Sequence, residues 1–217
     1  MQKIAILGTG GFARELTTLI QDINKVEETF ELVGFVDGSL PKGTLVNGYP
    51  VIGNDDDANN TREPLALVLA FGEPKLKAKV KAKFTNPLIS FPTIIHPSVL
   101  IGDKRFVEIG EGCIICAGCM ITTNVVIKDF VTLNLMCTVG HDTTIGSYSA
   151  FMPSCNVSGE VNIEDGVYCG TGVKIINQLS IGKSTVVGAG AVVAKTLPAG
   201  CTAVGVPAKP IKFHNAE

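Results

Sequence analysis

The hydrophobic positions of this chain change their period near the middle of the sequence. In the first half, short apolar runs at residues 3–7, 31–37 and 65–71 alternate with segments of helical spacing at 14–22 and 74–84. Strands that alternate with helices are typical of a small parallel α/β domain, which we predict over residues 1–90. The Asn- and Asp-rich segment 54–62 is expected to be a solvated loop or a short helix.

The second half follows a six-residue period. From Ile109 to Val193 every sixth residue is hydrophobic, and the residue two positions before each of them is never charged. Two inward positions in every six residues are the signature of a hexapeptide β-helix, in which three hexads form one triangular coil. The pattern therefore predicts a parallel β-helix over residues 91–200, with a two-residue offset near Lys104 and Arg105. The spacing does not determine the hand of this helix.

Glycine often follows the hydrophobic residue of the repeat. It does so at residues 110, 140, 146, 170, 182 and 188. We attribute these glycines to tight corners that require a backbone without Cβ.

Composition and charge exclude several classes of protein. Hydrophobic residues make up 46% of the chain and charged residues 18%, which excludes a disordered protein. The net charge of −2 gives no support for binding to nucleic acid. The longest apolar run, residues 65–71, is much shorter than the ~20 residues of a membrane-spanning helix. Because the N-terminus also lacks the features of a signal peptide, we expect a cytoplasmic protein without a membrane span.

The seven cysteines are predicted to be reduced and structural. Cys113, Cys116 and Cys119 have the spacing of an iron–sulfur motif, but the hexad phase turns Cys113 and Cys119 inward. The same phase stacks Cys119, Cys137 and Cys155 as a ladder of small buried side chains. Zinc in a β-helix would require about three histidines, and the repeat contains only His141. We therefore predict no metal site.

The glycines near the N-terminus predict a phosphate-binding loop. Gly8, Gly10 and Ala13 fit the pattern Gly-x-Gly-x-x-Ala between a strand and a helix, as in Rossmann-like domains. Free N–H groups in the first helical turn can hold a phosphate, and Asp37 at the end of the second strand can accept a ribose hydroxyl. Ninety residues do not supply a second dinucleotide-binding half, so we favour a nucleotide sugar. The predicted contacts are Gly8, Gly10, Gly11, Phe12 and Asp37.

Five segments spread along the chain resemble the hexapeptide-repeat acyltransferases, in the branch of sialic-acid O-acetyltransferases and UDP-4-amino-sugar N-acetyltransferases. They are Gly8-Thr-Gly-Gly-Phe-Ala-Arg-Glu15, Gly34-Phe-Val-Asp37, Ile95-His-Pro-Ser98, Gly140-His-Asp142 and Gly205-Val-Pro-Ala-Lys209. The resemblance implies a left-handed β-helix, a homotrimer with sites between subunits, acetyl-CoA as donor and a histidine base. Many members carry a histidine where this chain has Phe12, and this departure concerns the acceptor rather than the acyl transfer.

His141 is the candidate general base. It lies two residues after the inward Val139, so its side chain is expected to point outward, and an imidazole titrates near neutral pH. Asp142 is a candidate to orient the ring, although neighbouring residues in a strand usually face opposite ways. Gly159, one coil further on, can offer its N–H to the oxyanion of the reaction, or it can be a plain corner glycine.

The resemblance also supports Gly159 and adds further site residues. Asn134 is implied as a polar contact near the base, with a turn asparagine as the alternative interpretation. The residues expected to contact acetyl-CoA are Gly159, Gly172, Gly190, Pro207 and Lys209.

Together these patterns predict an acetyltransferase that moves acetyl directly from acetyl-CoA to the amino group of a UDP-linked 4-amino sugar. Residues 1–90 would bind the acceptor, residues 91–200 would bind acetyl-CoA and perform the chemistry, and residues 201–217 would form a tail. An O-acetyltransferase acting on sialic acid or another small hydroxyl acceptor is the alternative hypothesis. A binding protein with a decayed active site and a nicotinamide-dependent enzyme are two further hypotheses. No hexad from 109 to 193 is interrupted by a loop that could wall a pocket, which favours a site completed by a neighbouring subunit.

Overall fold

A computed structural model describes residues 1–214 of the chain. The chain forms two compact units, Met1–Pro97 and a second unit that begins at Ser98. The structure thus divides the chain after Pro97, whereas the sequence places the boundary at residue 90. The first unit is α/β and the second is a parallel β-helix, so the predicted fold class is confirmed.

The first unit is built on a six-stranded sheet with three helices. Its strands are β1 (Gln2–Leu7), β2 (Phe30–Val36), β3 (Leu45–Val46), β4 (Tyr49–Gly53), β5 (Leu65–Leu69) and β6 (Ile89–Ser90), followed by the short strand β7 (Ile94–Ile95). Its helices are α1 (Gly11–Val26), α2 (Asp55–Asn59) and α3 (Pro74–Lys81). The strand order is β3-β4-β2-β1-β5-β6, and only the pairing of β3 with β4 is antiparallel.

Burial explains why the sequence predicts most of these elements. The central strand β1 is buried from Ile4 to Leu7, as expected for a parallel strand covered on both faces. Helix α1 buries its apolar stripe, including Leu16 and Ile20. The sequence does not predict the five-residue strand β4, nor the strands β3, β6 and β7, whose two residues do not reveal a period. No helix among the described residues has both the length and the apolar character needed to cross a membrane.

The second unit is made of short strands, most of them two residues long. They are β8 (Leu100–Ile101), β9 (Val107–Ile109), β10 (Ile114–Ile115), β11 (Met120–Ile121), β12 (Val125–Ile127), β13 (Thr132–Leu133), β14 (Thr138–Val139), β15 (Thr144–Ile145), β16 (Ala150–Phe151), β17 (Asn156–Val157), β18 (Asn162–Ile163), β19 (Tyr168–Cys169), β20 (Lys174–Ile175), β21 (Ser180–Ile181), β22 (Val186–Val187), β23 (Val192–Val193), β24 (Cys201–Val204) and β25 (Lys209–Phe213). The stretch predicted as a tail therefore contains two strands, β24 and β25, which pair antiparallel.

From β8 to β23 every third strand joins the same parallel sheet, so three sheets run along the β-helix, and β24 extends one of them beyond β22. Their orders are β10-β13-β16-β19-β22-β24, then β8-β11-β14-β17-β20-β23, and β9-β12-β15-β18-β21. Thr138 pairs with Met120 on one side and with Asn156 on the other, which is the predicted spacing of eighteen residues. The spacing between Met120 and its partner Leu100 is two residues longer than this regular spacing. A 3₁₀ turn at Lys104–Phe106 accommodates the two extra residues.

The interior of the β-helix contains two kinds of inward side chain. The hydrophobic residue of every hexad from Ile115 to Val193 is buried. At the position two residues earlier, hydroxyl and thiol groups donate hydrogen bonds to the carbonyl fifteen residues later, as in Cys119 to Asn134 at 3.1 Å and Thr143 to Ser158 at 3.1 Å. All seven cysteines are buried, and none forms a disulfide. Thiols inside the coil thus find hydrogen-bond acceptors in its own backbone carbonyls. Within residues 1–214, no three metal-binding side chains come together.

The glycines that follow the hydrophobic residue are needed because they lack a Cβ, as predicted, and the reason is steric. None of them has a positive φ, so conformational freedom is not what the corner requires there. A Cβ built on Gly146 would lie 2.5 Å from the backbone nitrogen of Asp165, and one on Gly182 would clash with the backbone nitrogen of Ala199. These glycines therefore allow the backbone of the next coil to approach closely.

We predict that Gly146→Ala is more destabilising than Gly190→Ala. The added methyl group at 146 meets backbone and forces two coils apart, at a cost of about 3 kcal/mol in the free energy of unfolding. Gly190 has a φ of 67° and open space around a built Cβ, so its substitution costs only about 1 kcal/mol of backbone strain. Urea unfolding of both variants and the wild type measures the difference. Equal losses would contradict the close-approach explanation.

Candidate active site

The candidate base lies at a corner of the β-helix directly after β14. Val139, the last residue of that strand, is buried, and the chain then turns through Gly140, His141 and Asp142. A Cβ on Gly140 would lie 2.6 Å from the backbone nitrogen of Gly159, so the two coils are in close contact here. The side chain of His141 points outward and is 56% exposed.

His141 and Asp142 form a hydrogen-bonded pair. The ring Nδ1 lies 2.7 Å from Asp142 Oδ2. Neighbouring residues in an extended strand face opposite ways, but Asp142 has a φ of 55°, which turns its carboxylate to the side of the imidazole. The structure therefore brings together two side chains whose relative orientation the sequence leaves open.

The pair determines which ring nitrogen is available as a base. An ionised carboxylate only accepts hydrogen bonds, so Nδ1 carries the hydrogen and Nε2 of the neutral ring keeps a lone pair. The hydrogen bond from His141, together with one from the Asn124 side chain, lowers the pKa of Asp142 below its ordinary value. Asp142 therefore remains ionised throughout the range in which an imidazole titrates.

Gly159 lies directly against the imidazole. A Cβ built on Gly159 would be 2.5 Å from both Cε1 and Nε2 of His141, so the ring occupies the space that any other residue would fill. The Gly159 carbonyl accepts a hydrogen bond from the Gln178 N–H at 3.2 Å, whereas its own N–H has no acceptor within the described chain. A free N–H on the residue that packs against the base can serve as an oxyanion donor.

Asn134 is not brought into hydrogen-bonding contact with His141. It is buried, its Oδ1 accepts the Leu135 N–H at 2.7 Å, and its carbonyl accepts the Cys119 thiol. Within one chain these contacts are those of a turn asparagine, the alternative interpretation of this residue.

Of the five residues predicted to contact acetyl-CoA, Gly159 lies against His141 and the other four lie elsewhere on the β-helix. Gly172 and Gly190 are stacked at a corner other than that of His141, both with positive φ. Pro207 and Lys209 are exposed at the hairpin between β24 and β25, which is anchored by the Ala208 N–H to the Val192 carbonyl at 2.7 Å. A single chain therefore does not gather the predicted acetyl-CoA contacts around His141.

The predicted phosphate loop lies in the first unit, after β1. Gly8 has a φ of 93°, and Gly10 is the N-cap of α1. The cap supplies no side-chain hydrogen bond and the first turn contains no acidic residue. Gly10 and Gly11 are exposed and Phe12 is half-buried. The first N–H groups of a sixteen-residue helix are thus available to an anion.

Asp37 connects this loop to the end of β2. Its Oδ2 accepts the Thr9 hydroxyl at 2.6 Å, and its Oδ1 accepts the Ser39 N–H and hydroxyl at 2.8 and 2.6 Å. Partial burial raises the pKa of Asp37, but the hydrogen bonds from Ser39 and Thr9 outweigh it and keep the pKa below its ordinary value. An ionised carboxylate with remaining lone pairs lies beside the phosphate loop, as a ribose-binding group does.

Asn124 is a further residue at this site, and no sequence motif indicated it. Its side-chain nitrogen donates to Asp142 Oδ1 at 3.0 Å from the preceding coil. The eighteen-residue spacing between Asn124 and Asp142 was the available signal, since residues at that spacing stack.

The chain is similar to known proteins both in its first unit and over almost its whole length. Residues 3–84 match the family described as the PglD N-terminal domain. The chain is 33% identical over 220 residues to GDP-perosamine N-acetyltransferase of Escherichia coli O157:H7, covering 98% of this chain and 97% of that protein.

Two solved structures resemble the whole chain. The acetyltransferase domain of PglB from Neisseria gonorrhoeae FA1090, in complex with acetyl coenzyme A, has a TM-score of 0.87 at 29% identity and covers 97% of this chain and 99% of that one. PerB from Caulobacter crescentus, in complex with CoA and GDP-perosamine, has a TM-score of 0.86 at 31% identity and covers 98% of each chain.

Proposed function

The chain belongs to the hexapeptide-repeat acetyltransferase family of these sugar N-acetyltransferases, and from this membership we propose that it transfers acetyl from acetyl-CoA to the amino group of a nucleotide-linked 4-amino sugar. The observation that carries the proposal is the exposed His141–Asp142 pair, with the imidazole packed against Gly159, whose N–H is free. The pair supplies a base and the glycine supplies an oxyanion donor, which are the two groups that acyl transfer to an amine requires.

The proposed reaction is a direct transfer. The neutral amine attacks the thioester carbonyl of acetyl-CoA, and His141 Nε2 removes a proton from the nitrogen as the new C–N bond forms. The Gly159 N–H stabilises the oxyanion of the tetrahedral intermediate. Collapse of the intermediate breaks the C–S bond, and the imidazolium returns the proton to the departing thiolate. Asp142 stabilises the imidazolium and holds its orientation.

The acceptor is proposed to bind through its nucleoside diphosphate. The open N-terminus of α1 suits the phosphates, and the Asp37 carboxylate suits a ribose hydroxyl. Free sialic acid has neither phosphates nor a ribose, so it would leave this loop without a ligand. The sequence favours UDP, whereas PerB from Caulobacter crescentus is in complex with GDP-perosamine, so the identity of the nucleotide base is a separate question for experiment.

A homotrimer with active sites between subunits is proposed for a geometric reason. His141 lies on an exposed corner, while Gly172, Gly190, Pro207 and Lys209 lie elsewhere on the same chain. Catalytic pockets are concave and cover most of their ligand, which one corner does not achieve. Threefold closure brings unlike corners of neighbouring copies together at three equivalent sites.

The first test is a substitution of the base. His141→Ala is expected to lower kcat about 10²–10⁴-fold with an unchanged circular-dichroism spectrum, because only the proton transfer is removed. Release of the CoA thiol in the presence of a nucleotide-linked amino sugar measures the rate. The matched control is His214→Ala, which removes an exposed imidazole hydrogen-bonded to Thr202 and should leave the rate unchanged. A His141→Ala protein with near-normal turnover would refute the assignment.

The second test concerns the acceptor. Asp37→Ala is expected to raise KM for the acceptor about tenfold while leaving KM for acetyl-CoA unchanged, because a hydrogen bond to a charged group is lost. Glu63→Ala, which removes an exposed carboxylate paired with Lys3 in the same unit, is the control.

Competition by UDP and by GDP then identifies the nucleotide base. If neither nucleotide competes and sialic acid is acetylated normally by Asp37→Ala, an O-acetyltransferase replaces the proposal. If no acceptor is acetylated and acetyl-CoA still binds, the protein is a binding protein with a decayed site. Thermal stabilisation by NAD but not by UDP or GDP would favour a nicotinamide-dependent enzyme.

The third test concerns assembly. Sedimentation equilibrium is expected to give three times the chain mass, and dilution below the dissociation constant should reduce specific activity in step with the loss of trimer. A monomer that retains full specific activity would contradict sites between subunits.

A further inference from the structure

The His141–Asp142 pair has a third member in the preceding coil. Asn124 occupies the same corner as Asp142, with a φ of 53° against 55°. Its Nδ2 donates to Asp142 Oδ1 at 3.0 Å, and Asp142 Oδ2 in turn lies 2.7 Å from His141 Nδ1. Each carboxylate oxygen of Asp142 is therefore held by a different donor.

This second donor matters because the pair is exposed. The side chains of His141 and Asp142 are 56% and 51% exposed, and ion pairs at such sites are held only weakly. A carboxylate with one partner can still rotate about its Cβ–Cγ bond. A second hydrogen bond to the other oxygen removes that freedom and keeps Oδ2 on the imidazole.

The choice of asparagine is not explained by the corner alone. The other two corners repeat the same positive φ with residues that have neither an amide nor a carboxylate, namely Gly112, Phe130, Tyr148, Gly166 and Ser184 on one and Gly118, Met136, Ser154, Gly172 and Gly190 on the other. Among the described positive-φ positions of the coils, amide and carboxylate side chains stack on each other in successive coils only at the corner of His141. There Asn124 donates to Asp142, and Gln178 donates to Glu160 at 3.1 Å.

We propose that Asn124 is a positioning residue for the acetyl transfer: its amide fixes the Asp142 carboxylate, which fixes the tautomer and orientation of His141. The inference rests on the proposed function, because it assumes that His141 is the base. Asn124 itself reaches the ring only through Asp142. Its predicted effect therefore falls on kcat and on the pH profile rather than on substrate binding.

Two titratable groups share the corner with the Asp142 carboxylate. His141 lies beside it, and its hydrogen bond lowers the pKa of Asp142, as does the one from Asn124. Glu160 lies one coil further along the same corner, but its carboxylate is directed to Gln178 Nε2. A charge placed at residue 124 therefore acts directly on the Asp142 carboxylate, and it acts on the imidazole of His141 through that carboxylate.

The test compares two substitutions of Asn124. Asn124→Asp keeps the shape but replaces the donor by a second carboxylate, which repels Asp142 and favours the imidazolium. The acid limb of kcat/KM against pH should move upward by about 0.5–1 pH unit, with kcat near pH 7 about five- to tenfold lower. Asn124→Gly keeps the positive φ and removes the amide, so kcat should fall about fivefold without the upward shift. KM for both substrates should change less than about twofold, since no substrate contact is removed.

Ser184→Gly is the matched control, since Ser184 has a φ of 56° at another corner. It should retain wild-type kcat and pH profile, and its thermal stability calibrates the loss of a side chain at such a position. If both Asn124 variants keep the wild-type kcat and pH profile, the positioning role is wrong, whatever their stability. An active His141→Ala would instead overturn the proposed function, so the two failures are distinguishable.

Discussion

The β-helix depends on one backbone constraint: a residue in the left-handed region at every sixth position. From Gly112 to Gly190 each corner contains one, and nine of these residues are not glycine, namely Asn124, Phe130, Met136, Asp142, Tyr148, Ser154, Glu160, Gln178 and Ser184. Such a conformation costs roughly 1–2 kcal/mol for a residue with a Cβ. The hydrogen bonds between stacked coils and the contacts between corner side chains, such as the rings of Phe130 and Tyr148 at 5.1 Å, offset that cost.

The same constraint builds the candidate site. At the corner after β14 the left-handed residue is Asp142, and this conformation is what places its carboxylate beside the imidazole of the preceding residue. Because the coils stack closely, the imidazole ring packs against Gly159, where a Cβ would overlap the ring. The geometry of the candidate site is therefore a variation of a corner that every coil has, with amide and carboxylate side chains where the other corners have glycine, hydroxyl or apolar ones.

A different rule governs the first unit. In a parallel sheet the carboxyl ends of the strands meet at one edge, so the loop after β1 and the residue after β2 come together there. The hydrogen bond from Thr9 to Asp37 joins them directly. Because α1 begins at a glycine without a capping side chain, its first N–H groups are left for a ligand.

The sequence by itself determined the features that depend on burial and on chain spacing. The six-residue period predicted the β-helix and its inward residues, and the Gly-x-Gly pattern predicted the loop before α1, because both leave a periodic or local signal. Only the tertiary structure decided the orientation of Asp142, the space over Gly159, the close approach at Gly146 and the contact from Asn124. Each of these depends on a contact with a neighbouring coil, and the residue that makes this contact is eighteen or nineteen positions away in the chain.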